Sequence, residues 1–255
     1  MVLTVLCLFA FLAGFVDSVI GGGGLIQLPI LMVMFPNTPF GTLAGTNKIS
    51  SICGTFAAVL RYKSELRFNN YVIIYSLPFA FIFSFIGARI VSSIDSNIIK
   101  PIIIITLILV GIYTFLKPNL GATVKNKSHL SKLKLIILSS LIGITLGFYD
   151  GLIGPGTGSF LIFGFIMLLG MDFFNASANA KVVNLGTNLA AVIFFIYTNQ
   201  VMWHTALAMA AANIAGSSAG TTMAIKNGNA WIRKMFLIVV VLILSKLIYD
   251  SVASF

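Results

Sequence analysis

The stretch Asp17-Ser18-Val19-Ile20-Gly21-Gly22-Gly23-Gly24 interrupts an apolar run that begins at Val2 and resumes at Leu25. In a run of this kind both features are out of place. An ionisable side chain at bilayer depth is costly and is by default a functional candidate. Consecutive glycines break a helix, and broken backbone survives at that depth only against protein or a water-filled cavity. A second break of the same type, Asp150-Gly151-Leu152-Ile153-Gly154-Pro155-Gly156, lies in the other half of the chain.

The surrounding composition is that of a membrane protein. The 255 residues are 58% hydrophobic and 9% charged, with a mean hydropathy of +1.04, whereas ordinary globular chains carry about 25% charged residues. The class expected is an all-α multi-pass membrane protein, with the lipid bilayer as its main partner. A net charge of +10 would also suit a nucleic-acid binder. The basic residues, however, fall in short loops between apolar runs, as the positive-inside bias produces, so no nucleic acid is expected. Residues 1–20 lack a positively charged start and a small-residue cleavage site, so no cleavable signal peptide is expected. Cys7 and Cys53 lie in apolar segments, and with only His129 and His204 besides, no spacing fits a metal site or a disulfide framework. Neither metal nor cofactor is expected.

After the first glycines the apolar run 25–35 ends at Pro36-Asn37-Thr38-Pro39. Eleven helical residues rise about 16 Å, half of a hydrocarbon core of about 30 Å. The reading is a hairpin that enters the bilayer and returns. Further spans are expected at 43–60, 71–94 and 98–116. Beyond a Lys-rich loop at 117–134 the pattern restarts, at 135–149, 160–169, 176–197, 202–225 and 231–250. This makes about eight transmembrane helices plus two short, broken, re-entrant half-helices. The division expected is a first transmembrane repeat at 1–117, a cytoplasmic linker at 118–133 and a second repeat at 134–255.

The halves align without a gap in the register that lays Asp17 on Asp150. Gly14, Phe15, Ile20, Gly21 and Gly23 then fall on Gly147, Phe148, Ile153, Gly154 and Gly156, and Lys48 falls on Lys181. Small and aliphatic identities mean little in apolar sequence, but two matching charges in one register are hard to dismiss. Equivalent loops carry opposite charge bias. Arg61, Lys63 and Arg67 have no basic counterpart in 194–200, whereas 226–234 carries three basic residues against one in 94–100. With basic loops cytoplasmic, each half crosses an odd number of times and the hairpin counts as even. Both termini are then extracytoplasmic, and the repeats have inverted topology, as in many secondary transporters.

Three constellations could carry chemistry. Half-helices starting near Gly23 and Gly156 would aim their electropositive N-termini at the midplane, a ready anion site; the bland reading is that the glycines only permit tight turns or close packing. No Gly-Lys-Ser/Thr follows, so these are not phosphate loops. Lys48 follows Asp17 at the same interval at which Lys181 follows Asp150, so each half is expected to hold its own Asp–Lys pair. That pair is either structural, or it supplies an anion contact and a coupling carboxylate; a lysine near a span end would instead snorkel to the interface. Lastly, Lys48, Ser51 and Thr55 share one helical face, as do Lys181, Asn184 and Asn188, and Asn213, Ser217 and Thr221 form a further stripe. Such side chains often only join helices, but matched stripes that each carry a lysine favour a cavity lining. Arg89 has Thr222 at its equivalent position and reads as a snorkelling residue; Trp203 and Trp231 read as interfacial anchors.

At these residues a resemblance enters. Residues 14–29, Gly-Phe-Val-Asp-Ser-Val-Ile-Gly-Gly-Gly-Gly-Leu-Ile-Gln-Leu-Pro, resemble the first signature of the TauE/SafE family of sulfite exporters. Gly45-Thr46-Asn47-Lys48 and the stretch from Gly147 to Phe160 are similar to its later signatures, and the likeness is strongest to the YfcA-type branch. The sequence departs at Gly156-Thr157, where related chains often carry Ala-Ala or Gly-Gly. The resemblance implies a transporter of the bacterial cytoplasmic membrane that moves sulfite, a sulfonate or another small sulfur-containing anion. The substrate-binding set expected is Gly21, Gly22, Gly23, Gly24, Lys48, Ser51, Gly154, Gly156, Thr157, Gly158, Lys181, Asn184 and Asn188, with Asp17 and Asp150 for coupling or ion pairing. Within transport the alternative is a passive anion channel; from another class it is an intramembrane enzyme or a membrane-protein assembly factor. No enzymatic activity is expected, and self-association stays open.

Overall fold

In a computed structural model, residues 1–65, 68–95 and 130–227 are described, together with 98, 101 and 105. Apart from those three residues, the expected spans 98–116 and 231–250 lie outside the described residues, as do most of the linker and Trp231. What is described is helical, without strands.

The glycine breaks set the first elements. Helix α1 (Val2–Ile20) stops at Gly21, whose left-handed φ of 77° turns the chain and lets its N–H donate to the Asp17 carbonyl. Helix α2 (Gly24–Met34) starts immediately afterwards, and α3 (Phe40–Glu65) and α4 (Asn70–Ser92) follow. In the second half α5 (Lys132–Leu152) is followed by a break in which Gly154 and Gly156 take φ values of 89° and 83°. Helix α6 (Thr157–Leu169) and α7 (Phe173–Tyr197) come next, then α8, helical over 203–227. Side-chain caps from Asn69, Ser131 and Asp172 start α4, α5 and α7.

Helices α1, α4, α5 and α7 are long and apolar enough to cross a membrane, and α2 and α6 are short apolar helices. At 26 residues α3 would rise about 39 Å; its polar stripe keeps its hydropathy below that of the other four.

The two halves interlock. Helix α5 lies along α4 through Gly143, Gly147 and Gly151, one small residue per helical turn, where any Cβ would overlap the carbonyl oxygens of Ser76, Ala80 and Ser84. Helix α1 lies along α8 in the same way, Gly14 against the Asn213 carbonyl and Gly216 against that of Phe11. Lipid tails give apolar faces no reason to prefer each other, so close backbone approach through small residues drives such packing.

These contacts come in pairs that exchange the halves. Gly14 meets the carbonyl of Asn213 as Gly147 meets that of Ala80, and Gly220 meets Phe15 as Gly87 meets Phe148. The Ser217 hydroxyl donates to the Gly54 carbonyl at 2.6 Å, and Ser84 at the equivalent position donates to Thr187 at 2.8 Å. Every one of these pairs keeps the register that lays Asp17 on Asp150, each contact returned by the residues at the equivalent positions. Ser217, read from sequence as part of a stripe with Asn213 and Thr221, thus joins helices. Thr221 bonds within its own helix, to the Ser217 carbonyl.

Because Gly87 and Gly220 hold equivalent contacts, Gly87→Ala and Gly220→Ala should destabilise alike, each by about 1–3 kcal/mol from overpacking against backbone. Thermal unfolding of the detergent-purified variants measures this. A large loss at one site with none at the other would contradict the equivalence.

Candidate functional site

The two broken segments touch. A Cβ on Gly21 would overlap the backbone of Gly158, and one on Gly158 would overlap that of Gly21. Ser159 fastens the contact: its N–H donates to the Gly21 carbonyl at 2.7 Å and its hydroxyl to Ile20 at 2.8 Å. Gly24 closes on Pro155 from the other side. Only residues without side chains allow two backbone breaks to approach so closely.

Beside this crossing lies a small, narrow cleft. Its wall takes Asp17, Gly21 and Gly24 from the first break, and Asp150, Gly154, Gly156, Thr157 and Gly158 from the second. From α3 come Asn47, Lys48 and Ser51, and from α7 Asn184 and Asn188. The first turns of α2 and α6 therefore both abut the cleft, and the polar faces of α3 and α7 supply its side-chain donors. The Lys48 ammonium rests against Gly154, 3.5 Å from where a Cβ would stand.

From the sequence, the charges are expected to pair within each half, Asp17 with Lys48 and Asp150 with Lys181. They pair across the halves. The Lys48 ammonium donates to Asp150 Oδ2 at 2.6 Å, and that of Lys181 to Asp17 Oδ2 at 2.8 Å. The Asp-to-Lys spacing is the same in both halves, so it cannot distinguish an Asp that faces its own lysine from one that faces the other; interlocking of the halves decides.

The two pairs are equivalent in register but not in surroundings. Lys48 and Asp150 are nearly buried yet both line the cleft. Lys181 is fully buried, at 0% exposure, and is absent from the wall, while its partner Asp17 reaches the cleft with 19% of its side chain exposed. Asp17 also accepts from the Gly23 N–H through Oδ1 at 3.3 Å.

Of the expected set, Gly22, Gly23 and Lys181 do not line the cleft. Gly23 instead packs under α1, where a Cβ would overlap the Ala13 carbonyl and the Asp17 Cβ. Asn47 lines it without belonging to the expected set, because a helical stripe counted from Lys48 omits it; its place in Gly45-Thr46-Asn47-Lys48 is the signal that could have found it. Its Oδ1 is buried with no hydrogen-bond partner among the described residues. Nearby, Asn213 donates to Gln27 Oε1 at 2.8 Å, and Gln27 donates to the Asn47 carbonyl at 3.4 Å. The second half has Phe160 and Ala80 at the positions of Gln27 and Asn213, so this link has no equivalent there. Of the remaining single residues, Arg89 and Trp203 are exposed.

Comparison with known proteins agrees with the family resemblance. The family described as "Sulfite exporter TauE/SafE" matches residues 6–247. A "Probable membrane transporter protein" of Haemophilus influenzae is 32% identical over 98% of this chain and 95% of its own length. The "Probable membrane transporter protein YfcA" of Escherichia coli K12 is 32% identical over 98% of this chain and 91% of its own. A "Probable membrane transporter protein ORF9" of Sinorhizobium sp is 33% identical over 94% and 90%. No solved structure shows significant similarity to the chain.

Breaking one partner of a buried pair costs about 3–5 kcal/mol, so Lys48→Asp and Asp150→Lys should each be strongly destabilised in thermal unfolding. Combining them should recover part of the loss. Lys48→Asp with Asp17→Lys should recover none, and rescue by that within-half exchange would refute the crossed pairing.

Proposed function

Because this chain belongs to the TauE/SafE family and is a multi-pass membrane protein, we propose that it is a secondary transporter that exports a small sulfur-containing anion, such as sulfite or a sulfonate. The observation that carries this reading is the meeting of two broken helices at one small cleft that holds an ammonium, three amides and a hydroxyl from paired helices. Helix N-termini favour negative charge, and the lining offers an anion several hydrogen-bond donors at once. Of the expected binding residues, Gly21, Gly24, Lys48, Ser51, Gly154, Gly156, Thr157, Gly158, Asn184 and Asn188 would hold it, joined by Asn47. Gly22, Gly23 and Lys181 would shape and brace the site without touching the ion.

Alternating access would arise from rocking one half against the other about the crossing of the breaks. The exchanged contacts support two related halves, and the charge bias of the loops supports placing their axis in the membrane plane, with both termini extracytoplasmic in a bacterial inner membrane.

Purified protein in liposomes should show saturable sulfite counterflow. Lys48→Met should lower that flux at least tenfold even where the variant is recovered folded. Unitary currents far above carrier turnover would favour a channel instead. A reporter fused to the C terminus should be active outside the cytoplasm, and a cytoplasmic signal would remove the inverted arrangement.

A further inference from the structure

The charges at the cleft sum to zero. Asp17, Lys48 and Asp150 line it, and Lys181 lies sealed behind Asp17. The cation that an incoming anion would use is thus already neutralised, by Asp150 at 2.6 Å. An anion that takes Lys48 leaves the nearly buried Asp150 carboxylate without its cation, and an unpaired buried charge is strongly disfavoured.

The geometry decides which carboxylate is left over. Asp17 keeps both its partners when an anion arrives, since Lys181 does not face the cleft and the Gly23 N–H belongs to the glycine break. Asp150 has Lys48 as its side-chain partner, and its own side chain is 3% exposed. Among the described residues no other cation can replace Lys48 there. The ionisable neighbour on α5 is Tyr149, whose hydroxyl donates to the Pro155 carbonyl; α2 and α6 contain no charged residue, and Arg89 of α4 is exposed. Asp17, facing across the cleft from α1, is negative and would only add to the repulsion.

We infer that Asp150 is the proton-binding site of this transporter, and that each anion bound is accompanied by one proton. The inference rests on the transport reading above. The anion displaces the Asp150 carboxylate from the Lys48 ammonium, and the freed carboxylate takes up a proton from the aqueous phase on the side from which the anion entered, becoming a neutral acid. When the anion leaves, Asp150 returns the proton to water and pairs with Lys48 again. A monoanion then crosses with no net charge. A dianion crosses with one net negative charge, so an inside-negative potential draws it outward, against the inward pull of an inside-alkaline pH gradient on the accompanying proton.

Methanesulfonate and thiosulfate are suitable probes, being fixed as monoanion and dianion near neutral pH. Wild-type protein in liposomes loaded with a pH-sensitive dye should move one proton with each anion. Methanesulfonate flux should ignore an imposed potential, and thiosulfate flux should respond to it as one charge. Anion flux without proton movement, or flux that requires sodium instead, would overturn the inference while leaving transport intact. Absence of flux for these anions and sulfite alike would sink the transport reading first, and this one with it. In detergent, Asp150→Asn should lose the proton uptake that accompanies methanesulfonate binding in the wild type, read by calorimetry in buffers of different ionisation enthalpy. Persistent uptake in that variant, or in Asp150→Ser where the asparagine variant does not fold, would refute the assignment.

Discussion

Two ammonium–carboxylate contacts, each joining opposite halves of the chain, constrain everything else in this protein. In an apolar medium a single charge cannot be left alone, so Lys48 requires Asp150 and Lys181 requires Asp17. A buried ion pair adds little net stability once desolvation is counted, and its attested use is to specify one arrangement among several. Here the arrangement specified is an interlocked one, since neither half satisfies its charges without the other.

Small residues make that interlocking feasible. Glycines on α5 and α8 bring whole helices within backbone contact of α4 and α1, and Gly21 and Gly158 let two interrupted segments touch. The same property thus serves packing at the periphery and chain reversal at the centre. Polarity is distributed differently: Asn47 and Ser51 of α3 and Asn184 and Asn188 of α7 line the cleft, while Ser217 and Ser84 spend their hydroxyls joining helices.

Much of this was legible in the sequence, because the controlling features are local. Apolar run lengths and glycine positions give α1, α2 and α6 to within a few residues, and a shared register predicts two matching sites. Most of the cleft lining follows from the two glycine breaks, and Ser51, Asn184 and Asn188 follow from helical spacing counted from each lysine. The partners of those lysines did not follow, since a duplicated register makes near and crossed pairing equivalent on paper and only tertiary packing breaks the tie. The sealing of Lys181 was invisible for a related reason. Register assigns both lysines one environment, whereas the side chains around them have diverged. Asn47 escaped because one residue's shift along α3 leaves the stripe, yet the side chain still reaches a cleft enclosed from several sides.

That divergence has an effect on balance. Two identical halves trading roles would make inward-facing and outward-facing forms equal in energy, and a carrier built from them would idle evenly between the two. In this chain Gln27 links α2 to Asn213 and to the Asn47 carbonyl, while Phe160 and Ala80 at the matching places make no such link. Ser159 likewise bonds Ile20 and Gly21, where its counterpart is Ile26. At about 0.6 kcal/mol for a hydrogen bond between membrane helices, a bond kept in one of two such forms and lost in the other would skew their occupancy by roughly threefold. In a carrier of the kind proposed above, a few differences between the halves would therefore be enough to set a preferred resting side.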